Sequence, residues 1–335
     1  MSYRRFDQDD IVVSADSITT PAWTNNQTNL TTFFTSSLQQ ATNAGKYYYH
    51  VYNSVVADSQ EIQFAVAYGN SVGSGSALYD NGELGKGYSS TVYGQYRTLI
   101  QGDEDTNFKF VSASIITEPE SVYFISLQRA RFKEKVLPGS MYMALGSGSK
   151  TIHLTDNSND VTTDTFVDSG RVYSIYSASA AGVVYDTNIE YGKLYPDVGI
   201  IALDAEVLET ERVVGKVLSG SGASVTYTTA NDNKRQLVNS LKVGATWKLR
   251  SDETLSSNFV FVRARNSEFN YSTNPSNITG SGELRHSAMI DNPQSYITQV
   301  GLYNDSNDLL AIAKLSTPLL KDFTKEALVR IKLDY

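Results

Sequence analysis

The 335-residue chain predicts a mainly β protein, built from antiparallel sheets or sandwich-like domains with one or two short helices. Three observations carry this expectation. The composition is rich in Thr, Ser and Asn and includes 22 tyrosines, a balance of pleated-surface and turn formers. Short apolar runs alternate with Gly-, Asn- and Asp-containing breaks along most of the chain. At the C-terminus Val329, Ile331, Leu333 and Tyr335 alternate with Arg330, Lys332 and Asp334, the period-2 signature of a half-buried strand.

Each element follows from the local pattern. Residues 1–20 read as an extended arm with a short strand at Ile11-Val12-Val13. Leu30, Phe33, Phe34, Leu38 and Ala41 share one face of a helical projection, with Asn29 as cap and Gly45 as stop, so a helix is expected there. Tyr47–Tyr52 and Ile62–Tyr68 read as strands, followed by the glycine-rich loop GNSVGSGSALYDNGELGKGYSS, which exceeds the usual length of a connection. Tyr93–Ile100 and Phe108–Ser112 resume strand character around GDED. Val122–Leu127 is strongly apolar and reads as a strand, and the chain continues from it into QRARFKEK. MYMAL and TIHLT flank Gly146–Ser149 as a hairpin, and RVYSIYSASA and Val198–Leu203 give two more strands. A helix is expected over Asn233–Lys242, where Leu237, Val238 and Leu241 align, and strands over Phe259–Arg265, Tyr296–Tyr303 and Leu309–Leu315. The division expected is an N-terminal region to 115, a central β domain over 116–204 and a C-terminal region over 205–335, the first and last parts able to share one core.

Composition narrows the chemistry. The chain has no cysteine, so disulfides, thiolate metal sites and a cysteine nucleophile are excluded. The net charge of −8 argues against nucleic acid as the main partner. The opening MSYRRFDQDD lacks the apolar core of a signal peptide, and no apolar run approaches the roughly 20 residues of a membrane span, so a soluble protein without membrane partners is expected.

Candidate reactive sites are few. Asn304-Asp305-Ser306-Asn307-Asp308 offers oxygen ligands but lacks the alternate acids, central glycine and distal glutamate of a calcium loop; it reads as a hairpin turn. Asp103-Glu104-Asp105 and Asp156–Asp160 read the same way. The three histidines, His50, His153 and His286, form no zinc-binding pair. Gly69-Asn70-Ser71-Val72-Gly73 matches a nucleophile elbow, yet the glycine-rich text after it carries no helical period. No catalytic, cofactor or metal site is therefore expected. One unusual feature is the run of Arg129, Arg131, Lys133 and Lys135 at every second position. On a continued strand these four cations share one face, either a solvated edge or a contact strip for an acidic partner or phosphate.

The strings GYSSTVYGQYRTLIQGDED, FISLQRARFKEKVLPG, YPDVGIIALD, FVRARNSEFNYSTNPS and ITQVGLYNDSNDLLAIAKLSTPLLKDFTKEALVRIKLDY carry a resemblance. They resemble virion structural proteins of tailed phages, in particular of T4-like myoviruses that infect marine cyanobacteria. The likeness runs over most of the chain and is weakest at 205–230. It implies a non-enzymatic particle component of the contractile tail or its baseplate, made in the host cytoplasm and surrounded by other virion proteins in multiple copies. A neck or capsid-associated protein is the alternative, then a receptor- or glycan-binding fibre module. Abundant tyrosine and long loops suit contact surfaces in any of these.

Overall fold

A computed structural model describes residues 5–36, 47–73, 89–179, 182–211, 214 and 233–334. It is 47% strand and 16% helical, so the mainly β expectation holds. The N-terminal part contains β1 (Ile11–Pro21), β2 (Asn29–Leu30), β3 (Tyr48–Tyr52), β4 (Ile62–Asn70), helix α1 (Ser89–Gln101), β5 (Phe110–Ser112) and β6 (Ile115–Thr117). Then come β7 (Ser121–Leu127), β8 (Lys135–Val136), β9 (Tyr142–Ser147), β10 (Lys150–Asp156), β11 (Thr165–Val167), β12 (Gly170–Ala178), β13 (Val184–Asp186), β14 (Gly192–Tyr195) and β15 (Ile200–Asp204). The chain continues through α2 (Ala205–Thr210), α3 (Asn233–Gly244), β16 (Trp247–Lys248) and β17 (Arg250–Ala264). It ends with α4 (Ala288–Asp291), β18 (Ser295–Tyr303), β19 (Leu309–Lys321) and β20 (Ala327–Asp334).

The chain forms two compact units, one of Met1–Ser17 with Thr254–Tyr335 and one of Ile18–Glu253. The boundaries at 115 and 204 drawn from the sequence fall elsewhere. β4 and β7 are neighbouring strands on opposite sides of the first, and Asp204 caps α2 across the second.

The larger unit is organised by one antiparallel sheet in the order β2-β16-β9-β10-β12-β14-β15-β7-β4-β3. Its central strands read as continuous apolar runs because both faces are covered. On one face Phe64, Val66, Tyr68, Tyr123, Ile125, Ile201 and Leu203 join the main core with Trp23, Trp247 and α3 residues Leu237, Val238 and Leu241. On the other, Ala67, Val122, Phe124, Ile200 and Ala202 meet Val92, Tyr93, Tyr96 and Ile100 of α1. Helix α3 touches β9 and β10 as well as β3 and β4, so the sheet curls around it. Its terminal Gly244 makes that approach possible, because a Cβ there would collide with the Ala144 carbonyl.

Three local expectations are corrected. Tyr93–Ile100 belongs to α1, not to a strand: Val92, Tyr93, Tyr96 and Ile100 bury at helical spacing, and Tyr96 stacks on Phe124 at 4.1 Å. Packing overrides the β propensity of Thr, Val and Tyr here. The helix over 29–45 does not begin as expected. Leu30 is in β2 opposite Trp247, Asn29 accepts the Trp247 N–H through Oδ1 at 3.1 Å, and Phe34 bridges Tyr52. Leu38, Ala41 and Gly45 lie outside the described residues. Finally, β7 stops at Leu127 and Arg129–Arg131 forms a 3-10 turn, so the strand does not run on through QRARFKEK. The expected helix at 233 is present as α3, with Leu237, Val238 and Leu241 buried.

The β5–β6 hairpin turns on Ala113 (φ 50°) and Ser114 (φ 66°), both left-handed without being glycine or asparagine. That conformation costs about 1 kcal/mol or more per residue. The double substitution Ala113→Asn with Ser114→Gly keeps the Ala113 N–H to Asn188 carbonyl bond of 2.7 Å. It is expected to slow amide exchange across the hairpin and raise the unfolding free energy by about 1–2 kcal/mol. Unchanged exchange would show that the turn carries no strain.

The smaller unit is a sheet in the order β1-β17-β20 together with the β18–β19 hairpin. β17 and β20 are paired from Ser257↔Asp334 to Ala264↔Ala327, with Val260, Val262, Val329, Ile331 and Leu333 directed at Val300, Leu302, Ala311 and Ala313 of the hairpin. The period-2 burial of β20 agrees with its sequence.

Candidate interaction surface

The four cations singled out in the sequence are not one row. Arg129 lies over the Phe132 ring at 4.6 Å and donates to the Phe132 carbonyl at 2.8 Å. Arg131 pairs with Glu61 at 2.9 Å and donates to the Thr24 hydroxyl. Lys133 reaches Glu253 at 3.6 Å, and its backbone N–H donates to Ser251 Oγ at 2.7 Å. Lys135 pairs with the buried Asp252 at 3.4 Å, across the two-residue β8–β17 ladder. The 3-10 turn breaks the alternation, and three of the four charges are met by carboxylates within the chain. Arg131, Lys133 and Lys135 fasten this stretch to Thr24, to Glu61 just before β4, and to β17.

The other sequence candidates resolve locally. Asn304–Asp308 is a hairpin turn between β18 and β19. The Asn304 and Asp308 side chains bond each other at 3.0 Å, the Asp308 N–H donates to Asn304 Oδ1 at 2.7 Å, and Asn307 takes φ 64°. Asp103 Oδ1 accepts the Asp105 N–H at 2.8 Å, and Asp156 Oδ1 accepts the Gly139 N–H at 2.8 Å, so both acidic clusters shape turns. His50 is half-buried beside Tyr52, and burial lowers its pKa. His153 stacks on Tyr142 and shares a 3.0 Å hydrogen bond with its hydroxyl. His286 is exposed. Among the described residues no group of three or more His, Asp or Glu side chains could hold a metal ion. Ser71 sits in the turn after β4, its N–H bonded to the Glu120 carbonyl at 2.8 Å. Residues 74–88, including most of the glycine-rich loop, lie outside the described residues.

Buried acid groups gather at the end of β15. Asp204 caps α2, its Oδ1 accepting the N–H groups of Glu206 at 2.9 Å and Val207 at 3.1 Å. Burial, opposed by these bonds and reinforced by Glu206 and Glu190, pushes its pKa up to about 6. Glu190, also buried, accepts the Val111 N–H at 2.7 Å and anchors the β5–β6 hairpin.

The surface that sequence reasoning missed lies on the smaller unit. One face of the β18–β19 hairpin supplies the core; the opposite face presents Tyr303, Leu310 and Ile312, which are 36%, 68% and 53% exposed. Ile11, Val12 and Val13 of β1 are exposed as well. On the β17–β20 pair, Phe259 is roofed by Arg330 at 5.3 Å and Lys332 at 5.9 Å. The buried apolar side chains grouped in this unit's core are Val260, Leu302 and Ile331. Strongly apolar residues at both odd and even positions of β19 were the available sequence signal, because a strand with one wet face should alternate.

The chain matches no protein family, no curated protein and no solved structure. No helix among the described residues is long and apolar enough to cross a membrane.

Proposed function

We propose that this chain is a structural subunit of a tailed-phage virion, placed in the baseplate wedge of a contractile tail. It works there by multivalent contact with other virion proteins in a symmetric assembly and catalyses no reaction. The observation that carries the reading is the apolar hairpin face of Tyr303, Leu310 and Ile312, outside a small core. Contiguous exposed apolar surface of this kind marks a protein–protein contact. The resemblance of the C-terminal string, Ile297–Tyr335, to virion proteins supplies the setting.

The experiment is to separate heads from tails of the virus and quantify the chain in each by mass spectrometry. Enrichment in tails at a copy number divisible by six is expected. Enrichment in heads would move the subunit to the capsid, and absence from particles would overturn the proposal.

A further inference from the structure

The smaller unit buries a lysine. Lys321, the last residue of β19, is 0% exposed, and its Nζ donates to Asn270 Oδ1 at 2.6 Å, the Asp322 carbonyl at 3.0 Å and the Asn266 carbonyl at 3.1 Å. All three acceptors are neutral oxygens. The adjacent Asp322 carboxyl is occupied elsewhere, by the Thr324 N–H and hydroxyl and, at 3.9 Å, by Lys325. Asn270 is itself only 2% exposed, and its Nδ2 donates to the Asn266 carbonyl at 2.7 Å. The carboxamide is thus pinned at both ends, and one carbonyl oxygen, that of Asn266, lies beside both side-chain nitrogens.

Three hydrogen bonds hold Lys321 Nζ beside the Asn270 carboxamide, and a lysine amine is a nucleophile towards such a carbonyl carbon. An amine fixed against an immobilised carboxamide replaces a bimolecular encounter by an intramolecular one, and a reaction that occurs once per molecule tolerates a slow rate. We propose that Lys321 and Asn270 join in an intramolecular isopeptide bond. Lys321 Nζ bonds to Asn270 Cγ, and the Cγ–Nδ2 bond breaks. Of the three protons on the ammonium, Nζ keeps one and two leave with Nδ2. An ammonium and a carboxamide become a secondary amide and an ammonium ion, with no oxidant and no net change of charge.

The bond ties the end of β19 to the segment following β17, across 51 positions of sequence. It supplies a covalent staple in a cysteine-free chain, within the unit that has the smaller core.

The test is the mass of the purified full-length protein with a peptide map. The expected result is a loss of about 17 Da, the mass of ammonia, and a branched peptide joining Lys321 to Asn270. Both should vanish in Lys321→Arg and in Asn270→Ala. A wild-type mass equal to that of the sequence, with the two residues in separate peptides, overturns the proposal. So does the same mass loss without the branched peptide, which would signal a cyclised asparagine instead. The wild-type measurement decides the matter whether or not the variants fold.

Discussion

Trp247→Ala is expected to destabilise the larger unit by about 3–5 kcal/mol. Trp247 is 0% exposed and sits edge-on between Trp23, 5.0 Å away, and Phe64, 4.6 Å away. Removing the indole takes away the shared wall of both contacts and leaves a void that the surrounding sheet cannot close by side-chain rotation alone. The strand register raises the stakes. Trp247 pairs with Leu30 of β2 on one side and with Met143 of β9 on the other, and its carbonyl accepts the Trp23 indole N–H at 2.8 Å. A loosened β16 would therefore release β2 from the sheet. The loss is a large fraction of the roughly 5–15 kcal/mol that holds a typical domain folded. The chain has two tryptophans, both in this unit, so Trp23 fluorescence reports its unfolding in the variant. Trp247→Phe, which keeps an aromatic ring between Trp23 and Phe64, should lose less than half as much. Equal losses for the two variants would show that the backbone bonds of β16, and not the ring cluster, hold this end of the sheet.

What the sequence disclosed and what it hid differ by the range of the interaction responsible. The Asn304–Asp308 turn, the β9–β10 hairpin and the alternation of β20 depend on neighbours a few residues apart, and all three were legible. Helix α3 was legible because Leu237, Val238 and Leu241 meet one core. Helix α1 was not, because its β-branched and aromatic residues argue for a strand until Phe124 and Phe108 are known to lie against them. The basic run misled for the same reason. Glu61 and Glu253, which meet Arg131 and Lys133, are 70 and 120 positions away, and nothing local announces the 3-10 turn that rotates the side chains. The pairing of Lys321 with Asn270 is equally non-local. The exposed face of β18–β19 emerges only when the hairpin's other face is seen to be used.

Asp204→Asn is expected to stabilise the protein at pH 8 and to flatten its stability between pH 7 and pH 4. In the fold the Asp204 carboxyl has a pKa of about 6, above its unfolded value near 3.9. Between those values the folded chain binds more protons than the unfolded one, so stability rises as pH falls. The gain is complete below about pH 4 and is lost as pH climbs through 6. A displacement of about two units corresponds to a ceiling of about 3 kcal/mol. Asparagine keeps an oxygen for the Glu206 and Val207 N–H groups, so the α2 cap survives, at the cost of a few tenths of a kcal/mol in helix-dipole attraction. It removes a buried charge that Glu206 and Glu190 repel, and a net gain of about 2 kcal/mol at pH 8 should follow. Asp204→Ala separates the two contributions, since it removes the charge and the cap together and should fall below the asparagine variant at every pH. Denaturation midpoints at pH 8, 6 and 4 supply the test. An asparagine variant less stable than wild type at pH 8 would mean that the ionised carboxylate strengthens the cap by more than its burial costs.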